Sequence, residues 1–198
     1  MIQTRTKKLA MMAMLCALAF MVMAAVQIPL MTVPLGPGLT LRYEPKDVII
    51  LIGGFMYGPL AAFIMSLAVS LVEMVTVSET GPIGMVMNVL SSASFTCTAA
   101  LIYKYKRTRF GAFFGLLAGC ILTAVVMTFW NYLIVPLYTG VARENIAPFL
   151  LTFFFPFNLI KGGINVGITM LIYKPVSKIL KSMTGVPNLD TERKDKID

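Results

Sequence analysis

Several apolar stretches in this chain are each long enough to cross a lipid bilayer, and each is almost free of charge. Residues 8–30, 59–77, 83–103, 111–135 and 149–174 all have this character. A helix needs about 20 apolar residues to span the hydrocarbon core. Within that core, every backbone polar group must be satisfied inside the segment, which leaves helices or closed barrels. The chain is 58% hydrophobic and 13% charged over 198 residues, so a soluble domain of this composition would lack the polar groups to cover its surface. The prediction is an all-α integral membrane protein whose residues 1–198 form a single membrane domain with no separate soluble part. The N-terminal run RTKKLAMMAMLCALAFMVMAAV has the basic start of a signal peptide. Its apolar part is long and no polar cleavage region follows, so it reads as the first retained span.

Charge sets the expected orientation. Thirteen of the 17 Lys and Arg fall in three clusters. These are Arg5, Lys7 and Lys8; then Lys104, Lys106, Arg107 and Arg109; then Lys174, Lys178 and Lys181, with Arg193, Lys194 and Lys196 in the tail. The positive-inside rule places all three in the cytoplasm. The net charge of +8 therefore reports orientation. A nucleic-acid surface would interleave its basic residues with exposed aromatics on one face, and that pattern is missing.

Both termini inside require an even number of spans. The segment MTVPLGPGLTLRYEPK, residues 31–46, is rich in Pro, Gly and polar residues and reads as an external loop. If 47–77 were one span, the second basic cluster would lie outside. The YGP at 57–59 supplies a turn, because Pro disfavours helix at the residue before it and Gly accepts tight turns. The expected spans are 8–30, 47–57, 59–77, 83–103, 111–135 and 149–174, the last kinked at Pro156. The segment PLYTGVARENIAP, residues 136–148, reads as a second external loop. No internal repeat is visible.

On this map the polar residues gather at the outer side. Arg42, Glu44, Lys46, Asp47, Glu79, Arg143 and Glu144 fall in loops or at their edges, and Glu73 and Asn88 near the outer ends of the third and fourth spans. Asn131 is near the outer end of the fifth. Asn158 and Lys161 lie in the outer half of the sixth, with Lys161 roughly 15–20 Å deep. The inner halves carry little beyond small hydroxyls. The pattern predicts a cup open to the outside and closed below. An ionisable residue at the depth of Lys161 marks a functional cavity more often than a snorkelling side chain. Asn131 and Asn158 can serve a ligand or join helices to one another. Glu73 can face a ligand or external water, and Asp47 can bind a ligand or suit a helix N-terminus. Ala13-x-x-x-Ala17, with Ala10 and Ala24, makes a flat strip on the first span, for a partner helix or for internal packing.

Enzyme signatures are missing. The chain has no His, no nucleophile with a paired base and no metal-ligand cluster. Cys16, Cys97 and Cys120 lie in apolar segments without CxxC spacing and read as packing residues. With no P-loop motif the chain does not bind ATP in that way itself. Neither a metal nor a cofactor is expected.

Four stretches carry a family resemblance: EPKDVIILIGGFMYGPLAAF (44–63), GMVMNV (84–89), WNYLIVPLYTG (130–140) and PFNLIKGG (156–163). Together they resemble the riboflavin-specific S component of energy-coupling-factor vitamin transporters. The resemblance covers nearly the whole chain. It implies six helices in a bacterial plasma membrane, a vitamin site open to the exterior, and a membrane-embedded coupling subunit that joins two cytoplasmic ATPases. It implies that Asn131, Asn158 and Lys161 line a riboflavin pocket, that Glu44 and Asp47 are loop acids near it, and that Ala13 and Ala17 contact the coupling subunit. Asn88 and Glu73 complete the expected ligand set. The third span departs from the family's Lys-Asn pair: AVSLVEM carries Ser70 and Glu73 instead. An acid there suits a ligand with a donor, so a different micronutrient stays open as the ligand. A structural membrane protein without a solute is the remaining alternative.

Overall fold

A computed structural model describes residues 2–35, 39–77 and 81–184, with side chains over 5–35, 39–77, 81–137 and 139–173. Glu79, the side chains of Lys174, Lys178 and Lys181, and the basic tail beyond 184 lie outside the described residues. The chain is mostly helical. Among the described residues, five segments are long and apolar enough to cross a membrane: Arg5–Ala25, Pro59–Thr76, Gly81–Tyr105, Arg109–Leu137 and Arg143–Tyr173.

The helices start and stop for local reasons. α1 runs Ile2–Ala25. α2, Lys46–Tyr57, begins after Pro45 and carries Asp47 in its first turn, where a negative charge suits the helix dipole. It ends at Gly58, whose φ of 95° is a conformation side chains resist. α3, Pro59–Thr76, starts on Pro59 at its first position, where the missing N–H has no intrahelical partner to lose. α4 spans Gly81–Tyr105 and α5 Arg109–Thr139. The Thr108 hydroxyl caps α5 by accepting from the Gly111 N–H, and Gly140 closes it in the left-handed conformation.

Two segments expected as external loops are ordered structure, so the chain is not purely helical. The first span was expected to reach residue 30, but the helix stops at Ala25. Residues Ile28–Val33 form β1, paired antiparallel with β2, Leu39–Tyr43. β2 alternates apolar and polar residues and ends on the buried Tyr43, while β1 ends on the buried Val33; the ladder is irregular between Pro29 and Met31, where Pro has no N–H to give. In the other expected loop, α5 continues through Pro136 to Thr139, and α6, Arg143–Phe149, follows. A π-helical turn at Leu150–Phe154 joins α6 to α7, Phe155–Thr184. Pro156 cannot donate to the carbonyl of Thr152 and its ring crowds that carbonyl; the wider turn accommodates both.

Glycines set the tightest packing. A Cβ on Gly119 would lie 2.6 Å from the Phe95 carbonyl oxygen, and one on Gly115 2.9 Å from that of Ala99. This Gly-x-x-x-Gly pair lets the backbones of α4 and α5 touch. Gly162 of α7 likewise sits against Cys120 of α5. The Lys8 ammonium stands 5.3 Å over the Tyr57 ring, so α2 ends beside the start of α1. Around that basic end, Phe55 and Tyr103 stack with centroids 4.3 Å apart, and Tyr173 meets Tyr103 edge-on. An apolar core containing these three and Leu116 fills this part of the bundle.

Candidate ligand site

The opposite end of the bundle holds a cavity of about 260 Å³, near the lower limit of roughly 300 Å³ for small-molecule pockets. Gln27 follows α1, and Leu39, Thr40, Leu41 and Arg42 come from β2. The hairpin thus forms one wall, seated by Val33 and Leu35 against Val135, Ile146 and Phe154. The far walls are Glu73 and Val77 of α3, the first three turns of α4 with Met87, Asn88 and Ser91, Met127 and Asn131 of α5, and Phe154, Phe157, Asn158 and Lys161.

Six of the seven expected ligand residues line this one space: Glu44, Glu73, Asn88, Asn131, Asn158 and Lys161. They come from α3, α4, α5, α7 and the residue between β2 and α2, and only Asn158 and Lys161 are neighbours along one helix. Asn131 and Asn158 are alike in construction. Each Nδ2 donates to the carbonyl one turn back, Met127 at 2.6 Å and Phe154 at 2.8 Å. That bond fixes each amide within its own helix and leaves the side-chain oxygen as the acceptor it can offer to a ligand. Lys161, one turn beyond Asn158, adds a cation with three donors.

The acidic side is organised by a residue the sequence reading left in a loop. Lys46 is fully buried. Its ammonium is 2.8 Å from Glu44 Oε2 and 2.5 Å from Glu73 Oε2. Asn88 Nδ2 donates to the other Glu73 oxygen at 2.9 Å. Glu73 is therefore a buried, paired carboxylate rather than one in open water. A charged residue just before an apolar helix, with a lone acid 27 positions on, was the available signal.

Asp47, the seventh, does not line the cavity. It lies behind Lys161, with Oδ2 3.7 Å from the ammonium. Its other oxygen accepts from Ser92 Oγ, and its side chain does not cap α2. Asn165 was missed altogether. It is buried, donates to Asp47 Oδ2 at 3.3 Å and accepts from the Tyr43 hydroxyl at 2.9 Å. Burial, and then the charge of Asp47, push the Tyr43 hydroxyl up to about 12, further from ionisation than an ordinary tyrosine, which is already a donor at neutral pH. Helical spacing from Lys161 to Asn165 was the signal that could have found it. On α1, Ala13 and Ala17 are exposed, whereas Met12, Ala19 and Met23 face the bundle. The strip is not internal packing.

The geometry offers carboxylates on one side, a cation and amides on the other, and an apolar surface between. It contains no group of three or more His, Cys, Asp or Glu placed to hold a metal among the described residues.

Comparison with known proteins agrees with this architecture. Residues 7–173 match the family described as ECF transporter, substrate-specific component. A riboflavin transporter RibU of Staphylococcus aureus (strain TCH60) is 32% identical over 183 residues, covering 89% of this chain and 94% of that protein. A riboflavin transporter RibU of Streptococcus thermophilus (strain ATCC BAA-250 / LMG 18311) is 30% identical over 188 residues, covering 89% and 86%. A solved structure described as the S component of a bacterial ECF transporter superposes with a TM-score of 0.72 at 32% identity, over 89% of this chain and 99% of that one. The chain belongs to the substrate-specific components of ECF transporters, multi-pass proteins of the cell membrane.

Proposed function

We infer that this chain captures riboflavin from the outside and delivers it through a complex with a coupling membrane subunit and two cytoplasmic ATPases. The observation that carries this reading is the joining of Glu44, Glu73, Asn88, Asn131, Asn158 and Lys161 around one cavity. The names of the two relatives supply the vitamin. Riboflavin is neutral, with a ring edge of alternating donors and acceptors and a chain of hydroxyls. The Asn131, Asn158 and Lys161 side serves the ring edge. The Glu44, Glu73 and Asn88 side accepts hydrogen bonds from the hydroxyls. Met127, Phe154 and Phe157 cover the ring faces. Hydrogen bonds of this kind must be replaced when water is excluded. No cofactor is needed; the vitamin is cargo.

Six crossings and cytoplasmic termini complete the reading, with α2 the short crossing and residues 1–198 one membrane domain. The support is that basic residues gather at the end opposite the cavity, where Arg5, Lys8, Lys104 and Arg107 lie. The exposed Ala13 and Ala17 strip is the surface for the coupling subunit.

The test is a titration of detergent-purified protein with riboflavin, followed by quenching of flavin fluorescence, beside a panel of other vitamins. Saturable quenching by one equivalent is expected. Lys161→Met should weaken it about 10-fold to 100-fold, the equivalent of one charged hydrogen bond. Absence of riboflavin binding, with binding of another vitamin, would replace the ligand and keep the transporter.

A further inference from the structure

We propose that Asp47, Asn165 and Tyr43 are positioning residues that hold the Lys161 ammonium in place without touching the ligand. This rests on the reading that the cavity takes a ligand at Lys161. The four residues come from three separate elements: α2, α7 and β2. Asp47 and Asn165 are about 1% exposed and Tyr43 about 3%, and none of the three lines the cavity.

The chemistry gives the network one direction. The Tyr43 hydroxyl donates to Asn165 Oδ1 at 2.9 Å. Asn165 turns its Nδ2 to Asp47 Oδ2 at 3.3 Å. Asp47 can only accept, and it also accepts a hydrogen bond from Ser92 Oγ. Its charge is then met by Lys161 at 3.7 Å. Asn165 has its oxygen committed to Tyr43 and its nitrogen to Asp47, so its amide has one sensible orientation. Lys161 is a point charge on a flexible four-carbon stem, and a fixed carboxylate behind it selects one rotamer. At 3.7 Å the contact is an ion pair rather than a hydrogen bond, so Asp47 orients the ammonium by charge and leaves its donors for the cavity.

The network also reaches the hairpin wall. Tyr43 is the last residue of β2, so the seat of the hairpin and the direction of Lys161 are joined by two hydrogen bonds and a closing ion pair. The position of the Lys161 charge is therefore set in part by a residue outside the helices.

The test is a double-mutant cycle between Asp47→Asn and Lys161→Met, read by riboflavin titration. Asp47→Asn keeps size and removes the charge, and should weaken binding about tenfold. In the Lys161→Met background the same substitution should add nothing. Tyr43→Phe should cost a few-fold alone and nothing in that background, and it carries the test if Asp47→Asn does not fold. Effects that multiply, or wild-type affinity for Asp47→Asn, would overturn the relay. The same cycle is read on ligand-free protein by thermal unfolding. There the Lys161→Met loss should shrink once Asp47→Asn removes the charge left behind. Independent losses would overturn the proposal whatever the ligand. Absence of riboflavin binding in the wild type, with coupling in the unfolding cycle, would retire the vitamin and leave the network standing.

Discussion

Replacing Lys46 by Met should be the most damaging single change at this site. Lys46 is completely buried and stands between two carboxylates, whose side chains are 16% exposed for Glu44 and 6% for Glu73. Methionine matches its length but supplies no charge and no donor. Two acids would then face each other, and the Glu73 carboxylate would keep only the Asn88 donor. Breaking a buried ion pair by removing one partner costs about 3–5 kcal/mol. For a chain of this size each kcal/mol moves Tm by roughly 2–4 °C, so the drop should be roughly 6–20 °C. The measurement is the fraction of protein left monodisperse after heating in detergent. Pairing Lys46→Met with Glu73→Gln removes the more buried stranded charge while keeping an Asn88 partner, and should recover more than half of the loss. A Lys46→Met protein that unfolds within about 2 °C of wild type would show the cluster to be hydrated, and the reasoning would fail. So would a double variant no better than the single.

Three further outcomes are expected. In a background lacking Cys16, Cys97 and Cys120, a membrane-impermeant thiol reagent applied to intact cells should label Ala142→Cys and not Arg107→Cys; both residues are exposed, and the reverse would invert the orientation. Ala13→Leu and Ala17→Leu should reduce co-purification of the coupling subunit at least several-fold while leaving riboflavin titration of the isolated chain unchanged; lost binding with intact assembly would reject the partner surface. Gly119→Ala should lower stability by about 1–3 kcal/mol, read as a lower Tm, because its Cβ meets the rigid Phe95 carbonyl and the helices must part; an unchanged Tm would mean that α4 and α5 separate at no cost.

The membrane class and the break at residues 57–59 follow from composition and from two residue types whose backbone chemistry is unambiguous. The gathering of Asn131, Asn158 and Lys161 was legible because a polar group in an apolar helix has few places to go. Pairing across elements was harder to read. Lys46 looks like a loop charge until α2 is known to start there, and only the fold sets it beside Glu73. Asp47 has the composition of a ligand contact, yet packing puts it behind Lys161. The hairpin was hidden because Pro and Gly read as loop even when the flanking residues alternate. Asn165 was hidden because its partners, Tyr43 and Asp47, lie more than a hundred residues away and only the fold brings them to it.

The π turn at Leu150–Phe154 has a consequence for chain length. From Ile146 to Asn158, an unbroken α-helix would turn these two residues about 120° apart, at about 100° per residue. A π turn takes in one extra residue and so removes about 100° of that rotation. Both residues are buried, as that corrected phase requires. The turn behaves as an absorbed one-residue insertion. Deleting Leu151, whose side chain is exposed, should remove the extra residue and leave Pro156 as a kink in an otherwise α-helical segment, with Lys161 still facing the cavity. A related chain can therefore be one residue shorter here and keep the same cavity, whereas a deletion within α7 before Lys161 should swing that ammonium away from the cavity.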